Sequence, residues 1–236
     1  MADSTNTKLA LAAEGSRIRE VFGKRTEINL GPFDLYGLCV HQERQETLIQ
    51  FFRRIGLSSL TGLRILDVGC GSGGSLRRMI DYGAEPRNCF GIDLFHKSLV
   101  AGHAVNPGIS LLEGTAAELP FADCQFDLAF QFTMMTSVLN ESVRKAIVGE
   151  VRRTLCKGGY FIWYDFAFSN PKNPNVRGIR KQEIKELLSG FHLEFQRITL
   201  APPLGRLAVK LAPSAYRMLT LLPPLRSHYF CFAEKV

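Results

Sequence analysis

From Leu63 onward the chain alternates short apolar runs with segments of helical spacing. Leu63–Val68, Cys89–Leu94, Ile109–Glu113, Phe126–Phe132 and Tyr160–Phe166 read as strands. Ser75–Tyr82, Lys97–Ala104 and Ser142–Leu155 read as the helices between them. In the last of these, Val143, Ile147, Val151 and Leu155 fall on one face. Ile179–Leu188 predicts a further helix, and Leu193–Leu200 and His228–Glu234 two more strands. Strands alternating with helices imply right-handed crossovers and a mostly parallel sheet covered on both faces. Upstream, Glu43–Ile55 sets Leu48, Phe51, Phe52 and Ile55 at helical spacing and predicts a helix leading into this core. Residues 1–25 are polar and read as frayed or helical. The expected organisation is one domain over 1–236: a helical cap over 1–58, a core over 60–200 and 227–236, and an insertion over 201–227.

That insertion breaks the pattern. Two strands that could be joined by ~2–5 residues in a hairpin are separated by Ala201–Ser227, with Pro202–Pro203 and Pro223–Pro224 near its ends. Between the proline pairs the segment is apolar and basic. It reads as a lid with Leu204, Leu207, Leu211, Met218, Leu221 and Leu222 facing inward, and its composition also suits peripheral contact with a membrane.

Composition narrows the class. Apolar residues are 46% and charged residues 22% of 236, the balance of a soluble globular protein. The first nineteen residues lack the pattern of a secretory leader. No stretch reaches the ~18–20 uninterrupted apolar residues of a spanning helix. Six cysteines, none in a CxxC pair, read as reduced thiols of a cytoplasmic protein. The net charge of +7 is uneven. Residues 1–140 hold 13 Lys/Arg and 15 Asp/Glu, whereas 141–236 hold 16 and 7. The basic C-terminal part suits an anionic acceptor, an acidic membrane or nucleic acid.

The chemistry gathers after the first strand, in Ile65-Leu-Asp-Val-Gly-Cys-Gly-Ser-Gly-Gly74. In an open parallel sheet, ligands bind outside the carboxyl ends of the strands. Gly69, Gly71 and Gly73 lie there, with a helix N-terminus following to face an anionic group. Gly69-x-Gly71-x-x-Gly74 alone also fits a dinucleotide fingerprint. Three features favour another cofactor. Asp67 stands where a dinucleotide strand usually continues apolar, Asp93 ends the second strand 24 residues after Gly69, and Gly114-Thr-Ala-Ala-Glu-Leu-Pro-Phe121 follows the third.

Together with Phe126-Asp127-Leu128 these motifs resemble the class I S-adenosylmethionine-dependent methyltransferases, over roughly residues 60–165. The resemblance implies a Rossmann-like doubly wound α/β sheet of order 3-2-1-4-5-7-6 with an antiparallel last strand, and S-adenosyl-L-methionine as cofactor. It implies that the loop Gly69, Cys70, Gly71, Ser72 and Gly73 holds the methionine part and Asp93 the ribose, with Asp67, just before the loop, also at the cofactor. Leu94, Thr115 and Ala116 would flank the adenine, and Gln131 and Phe132 would close the pocket. Thr115 stands where many members have an aspartate, and Lys157 where the family's turn usually has proline.

The implied reaction is in-line methyl transfer, expected as O-methylation of a small hydroxylated acceptor such as a sugar, glycan or natural product. A hydroxyl acceptor needs a base. Asp165 at the end of the fifth strand, His228 at the start of an antiparallel last strand, and His41 before the helix ahead of the core are the candidates. Asn170, Lys172, Asn173, Asn175, Arg177 and Arg226 are expected around the same mouth, suited to hydroxyl-rich or anionic groups. No His/Cys/Asp/Glu cluster has metal-ligand spacing, so transfer is expected to be metal-independent. Alternatives are a nucleic-acid or lipid-linked acceptor, a nicotinamide-dependent oxidoreductase, and a non-catalytic cofactor-binding protein. Gln131-Phe-Thr-Met134 lacks the Asn/Asp-Pro-Pro-aromatic motif of amino-methylating nucleic-acid enzymes, which speaks against nucleic acid. An oligomer remains open at this point.

Overall fold

A computed structural model describes residues 2–23 and 33–236. Of the polar N-terminal stretch, Ala2–Phe22 forms helix α1, and residues 24 and 25 lie outside the described residues. Helix α2 spans Leu35–Arg54, about two turns longer at its start than the periodicity predicts. Its start is set by Asp34, whose carboxylate accepts the Tyr36 amide as an N-cap. The extra turns bury Tyr36 and Cys39.

The alternation then runs β1 (Ile65–Val68), α3 (Gly74–Asp81), β2 (Cys89–Asp93), α4 (His96–Val105), β3 (Ser110–Glu113), β4 (Phe126–Phe132), α5 (Glu141–Thr154), β5 (Leu155–Phe166), α6 (Lys181–Leu187), β6 (Phe191–Leu200), α7 (Pro202–Leu211), α8 (Pro213–Thr220) and β7 (Arg226–Lys235). The seven strands form one sheet in the order β3-β2-β1-β4-β5-β7-β6. β7 runs antiparallel to both neighbours and the other pairs are parallel. This is the doubly wound α/β sheet expected from the sequence. β5 begins earlier than expected, because Leu155 pairs with Phe126 before the Lys157-Gly158-Gly159 turn shifts the register.

Alternation along the strands divides the core. Leu66, Ala129, Phe161 and Trp163 pack with α5 and α6, while Ile65, Leu128, Phe130, Ile162 and Tyr164 pack with α2, α3 and α4. Phe51 of α2 stacks on Phe232 of β7 at 3.8 Å, fixing α2 over the antiparallel side of the sheet.

Helices α7 and α8 fill the 201–227 connection, and here the structure corrects the sequence. Leu204, Leu207, Leu211, Met218, Leu221 and Leu222 are all exposed, by 40–79%, rather than turned inward. The inward face consists of Gly205, Ala208, Val209 and Tyr216, packed on Tyr36, Cys39 and Leu200. The reason is steric. Gly205 lies so close to Tyr36 that an added Cβ would stand 2.3 Å from the ring. Small residues therefore make the contact and the leucines are left outside. Glu43 of α2 completes the anchorage, accepting from the Thr199 amide (3.0 Å) and the Tyr216 hydroxyl (2.9 Å).

Candidate active site

The carboxyl ends of β1, β2, β3 and β4 open into a cleft of about 260 Å³. Gly69, Asp93, Leu94, Thr115, Ala116 and Phe132, all expected at the cofactor, line it. Gly69 has φ +79°, and a Cβ there would meet Met134 Cγ at 2.5 Å, so only glycine fits the turn. Asp93 is held from two sides: Oδ2 accepts the Gly71 amide (2.8 Å) and Oδ1 the Phe95 amide (2.9 Å). Each carboxylate oxygen retains a second lone-pair site, so the side chain is oriented by the loop and can still accept from a diol. Burial raises its carboxyl above the ordinary value, against the lowering effect of those amides.

The remaining expected cofactor residues are not part of the cleft lining itself. Asp67 is buried, and its carboxyl is pushed well above the usual range by burial first and by Asp93 second, against the opposing charge of Arg44. Cys70 is buried with its thiol raised by burial. Gly71, Ser72 and Gly73 carry the turn into α3, where Gly73 at φ +73° is an N-cap with no side-chain partner. Gln131 is fully buried beneath the cleft; its Oε1 accepts the Met134 and Met135 amides and shapes the turn after β4. The glycine cradle, a diol-ready carboxylate and a mainly apolar slot along Leu94 and Ala116 fit S-adenosyl-L-methionine.

The opposite wall is one that sequence reasoning misses. α1 supplies Glu14, Gly15, Ile18 and Phe22 to the cleft. Glu14 accepts from the Leu139 and Asn140 amides and pairs with Arg17, which in turn donates to the Ser137 carbonyl. Burial pushes the Glu14 carboxyl up, but Arg17 and the Leu139 amide outweigh it and leave it below its ordinary value. The only sequence signal is a carboxylate inside a mildly amphipathic stretch. Thr133, also lining the cleft, has φ +63°, a strained conformation for a β-branched residue. Its amide donates to the Tyr164 carbonyl and its hydroxyl to the Phe132 carbonyl.

Phe132 also belongs to an aromatic cluster under α2. The Arg44 guanidinium lies 4.6 Å from the Phe132 ring centroid and 5.5 Å from that of Tyr164. His228 stacks on Tyr164 at 4.7 Å and lies 3.9 Å from Phe166. Arg44 is likewise missed by the sequence, because nothing in its neighbourhood marks it apart from other helix-surface arginines.

The three base candidates occupy different surroundings. Asp165 is buried and accepts from the Thr136 amide (3.0 Å), the Thr136 hydroxyl (2.7 Å) and the Phe166 amide (2.9 Å). Burial raises it to about 6, despite those bonds. It braces the turn after β4 and is not part of the cleft wall. Burial and then the Arg44 charge push His228 down to about 3, so it stays neutral and holds a proton weakly. Its Nδ1 meets Ser227 Oγ at 3.0 Å. His41 lies beside Arg44, with Nδ1 3.1 Å from Nη2. Because guanidinium only donates, His41 Nδ1 accepts and Nε2 carries the hydrogen.

Four of the six polar residues expected at the mouth, Asn170, Asn173, Arg177 and Arg226, use their side chains internally. Arg177 pairs with Glu183, and Arg226 donates to the Thr220 and Arg197 carbonyls. Asn170 and Asn173 accept the Lys172 and Asn175 amides within their own loop. His96 pairs with Glu113, and His103 meets the Leu111 carbonyl. Among the described residues no group of three or more His, Cys, Asp or Glu is placed to hold a metal, and no helix is long and apolar enough to cross a membrane.

Comparison with known proteins agrees with this geometry. Residues 66–163 match the family described as methyltransferase domain. Demethylmenaquinone methyltransferase of Beutenbergia cavernae is 28% identical over 207 residues, covering 83% of this chain and 77% of that protein. The 24-methylenesterol C-methyltransferase 2 of Oryza sativa subsp. japonica is 26% identical over 176 residues, covering 70% of this chain and 45% of that protein. The chain spans about half the length, 54% and 45%, of the first curated relatives it matches. The SAM-dependent methyltransferase of Methanosarcina mazei superposes with a TM-score of 0.60 at 17% identity, covering 79% of this chain and 97% of that one. That of Mesorhizobium loti gives 0.60 at 20% identity, covering 77% and 95%. Those two likenesses show the fold, and the match over 66–163 falls on the segment that carries the cofactor loop, Asp93 and Thr115. Residues 66–163 thus match a methyltransferase domain, the chain has the fold of S-adenosylmethionine-dependent methyltransferases, and the cleft fits their cofactor, S-adenosyl-L-methionine.

Proposed function

We propose that the protein transfers a methyl group to a small hydroxylated acceptor with an apolar body, bound against the aromatic cluster at Phe132. One observation carries this reading: Phe132 lines the cofactor cleft and also packs under Arg44, so the aromatic cluster adjoins the cleft in which the methyl group would lie. Bound S-adenosylmethionine supplies an electrophilic methyl group on sulfur. The chain's own work is to hold the cofactor through Asp93 and the Gly69–Gly73 loop, exclude water with α1, and align the acceptor. Phe132 and Phe166, half-buried where Tyr164 and His228 are buried, offer flat apolar surface, which suits a ring or isoprenoid better than a sugar. Relatives named for a demethylmenaquinone, a sterol and a tocopherol point the same way.

Arg44 is the group suited to the acceptor oxygen. A guanidinium over two rings stabilises an oxyanion, so it favours ionisation of a phenol- or enol-type hydroxyl. That fits O-methylation without a strong base. His41, once its Nδ1 leaves Arg44, can take the displaced proton. Asp165 serves as a positioning residue through Thr136, and neutral His228 backs the cluster by packing on Tyr164 and Phe166.

The test is methyl transfer from labelled S-adenosylmethionine to a panel of phenolic, quinol and sugar acceptors. Product with the phenolic or quinol set, and a drop of about 10–150-fold in kcat/KM for Arg44→Met from loss of one charge-assisted bond of ~1.5–3 kcal/mol, is the expected result. Transfer confined to sugars, or undiminished in Arg44→Met, refutes the assignment.

A further inference from the structure

The two helices between β6 and β7 have an outer face that the fold does not use. Of the fifteen large hydrophobics exposed among the described residues, six lie in this one connection: Leu204, Leu207, Leu211, Met218, Leu221 and Leu222. Leu204, Leu207 and Leu211 share one face of α7, and Met218, Leu221 and Leu222 follow one side of α8 and its end. α7 and α8 pack on each other, so the two apolar rows belong to neighbouring helices. Arg206, Lys210 and Arg217 are exposed on the same helices, and Ala201–Ser227 contains no Asp or Glu. Phe33 and Leu35, 98% and 47% exposed, stand where α2 begins against α7. Monomeric soluble proteins seldom leave so many large apolar side chains together.

We propose that this face docks on an anionic lipid bilayer. The rows of leucine and methionine would enter the boundary between headgroups and acyl chains, with Arg206 and Lys210 meeting lipid phosphates. Charge selects this occupant over a second copy of the chain. An isologous pairing of the face would bring two copies of the same basic segment together, with no carboxylate in 201–227 to offset the repulsion. The face is also rigidly mounted, since Gly205 seats on Tyr36 and Glu43 binds Tyr216 and Thr199. Tyr36 lies eight residues before Arg44 on α2, ~12 Å along the helix axis. Docking would thus bring Arg44 and the Phe132 end of the cofactor cleft near the surface in which an apolar acceptor dissolves. The inference goes beyond the proposed methyl transfer and stands on separate residues.

Flotation of the full chain with phosphatidylcholine vesicles, with and without phosphatidylglycerol, tests it. The chain is expected to float with the phosphatidylglycerol vesicles and to be released by salt. Lys210→Glu and the double variant Leu207→Asp/Leu211→Asp are each expected to lower the bound fraction by about tenfold or more, from the contribution of a basic group near the surface and of inserted apolar side chains. Both changes are on exposed positions, so binding of S-adenosylhomocysteine should be unchanged and reports that the fold is intact. No flotation, or flotation undiminished in both variants, overturns the proposal. So does a dimer in sedimentation velocity that the leucine variant dissociates, since a second copy would then be the occupant. Methyl transfer to a detergent-dispersed acceptor by the same variants keeps the two readings apart. Its persistence with loss of flotation supports docking, and its absence in the parent chain refutes only the acceptor assignment.

Discussion

Replacing Asp93 with asparagine tests how the loop and the ribose-facing group are coupled. The two oxygens of Asp93 accept the Gly71 and Phe95 amides at 2.8 and 2.9 Å. An amide side chain has one oxygen. Whichever way it is turned, its NH2 confronts one of those N–H groups, donor against donor. Leaving one such group without a partner costs ~1–3 kcal/mol. In a chain of this size ~2–4 °C of melting temperature accompanies each kcal/mol, so a fall of roughly 2–12 °C is expected. Cofactor binding falls further. Hydrogen bonds to a charged acceptor contribute ~1.5–3 kcal/mol and those to a neutral one ~0.5–1.5, so two ribose hydroxyls together lose about 2–3 kcal/mol, or roughly 30–150-fold in Kd. Calorimetric titration with S-adenosylhomocysteine and a thermal melt measure both. Asp81→Asn, at an exposed position late in α3, is the control and should change neither. An Asp93→Asn variant with parental affinity and melting temperature would refute the idea that this carboxylate organises the site.

Gly69→Ala should weaken S-adenosylhomocysteine binding by tenfold or more, on the order of the ~1–2 kcal/mol cost of a left-handed Cβ plus displacement of Met134, and titration beside the parent measures it. Thr133→Gly removes a strained φ costing ~1–3 kcal/mol; the melting temperature is expected to rise while kcat falls, and a lower melting temperature would contradict the strain. Asp165 has a folded-state value raised to about 6. Its contribution to stability is therefore full below its unfolded value of ~3.9, declines as pH rises from there, and is gone above about 6, a change of roughly 3 kcal/mol. Urea unfolding across pH 4–7 should show that slope in the parent and a flatter one in Asp165→Asn; equal slopes would refute it.

Much of the cofactor half is legible in residues 63–132, because its parts are local. Alternating apolar runs set the strands, and a glycine turn with Asp93 at a fixed distance sets the site. The acceptor half depends on contacts distant in sequence. Arg44 gains meaning only when α2 lies over Phe132 and Tyr164, and Glu14 only when α1 reaches Leu139. Topology puts His228 and Asp165 at the right end of the sheet, but their burial and partners belong to packing that no spacing encodes. The 201–227 connection misleads for a related reason. An apolar row on a helix reads as core, whereas here Gly205, Ala208 and Val209 make the close contact with Tyr36 and Leu200 and the leucines face away.

The central claim is that the glycine loop and Asp93 hold S-adenosylmethionine rather than a dinucleotide. Parallel calorimetric titrations of the chain with S-adenosylhomocysteine and with NADH test it most directly. Saturable binding of S-adenosylhomocysteine at one site, weakened in Asp93→Asn, with no heat from NADH, is the predicted result; saturable binding of NADH with none of S-adenosylhomocysteine would contradict it.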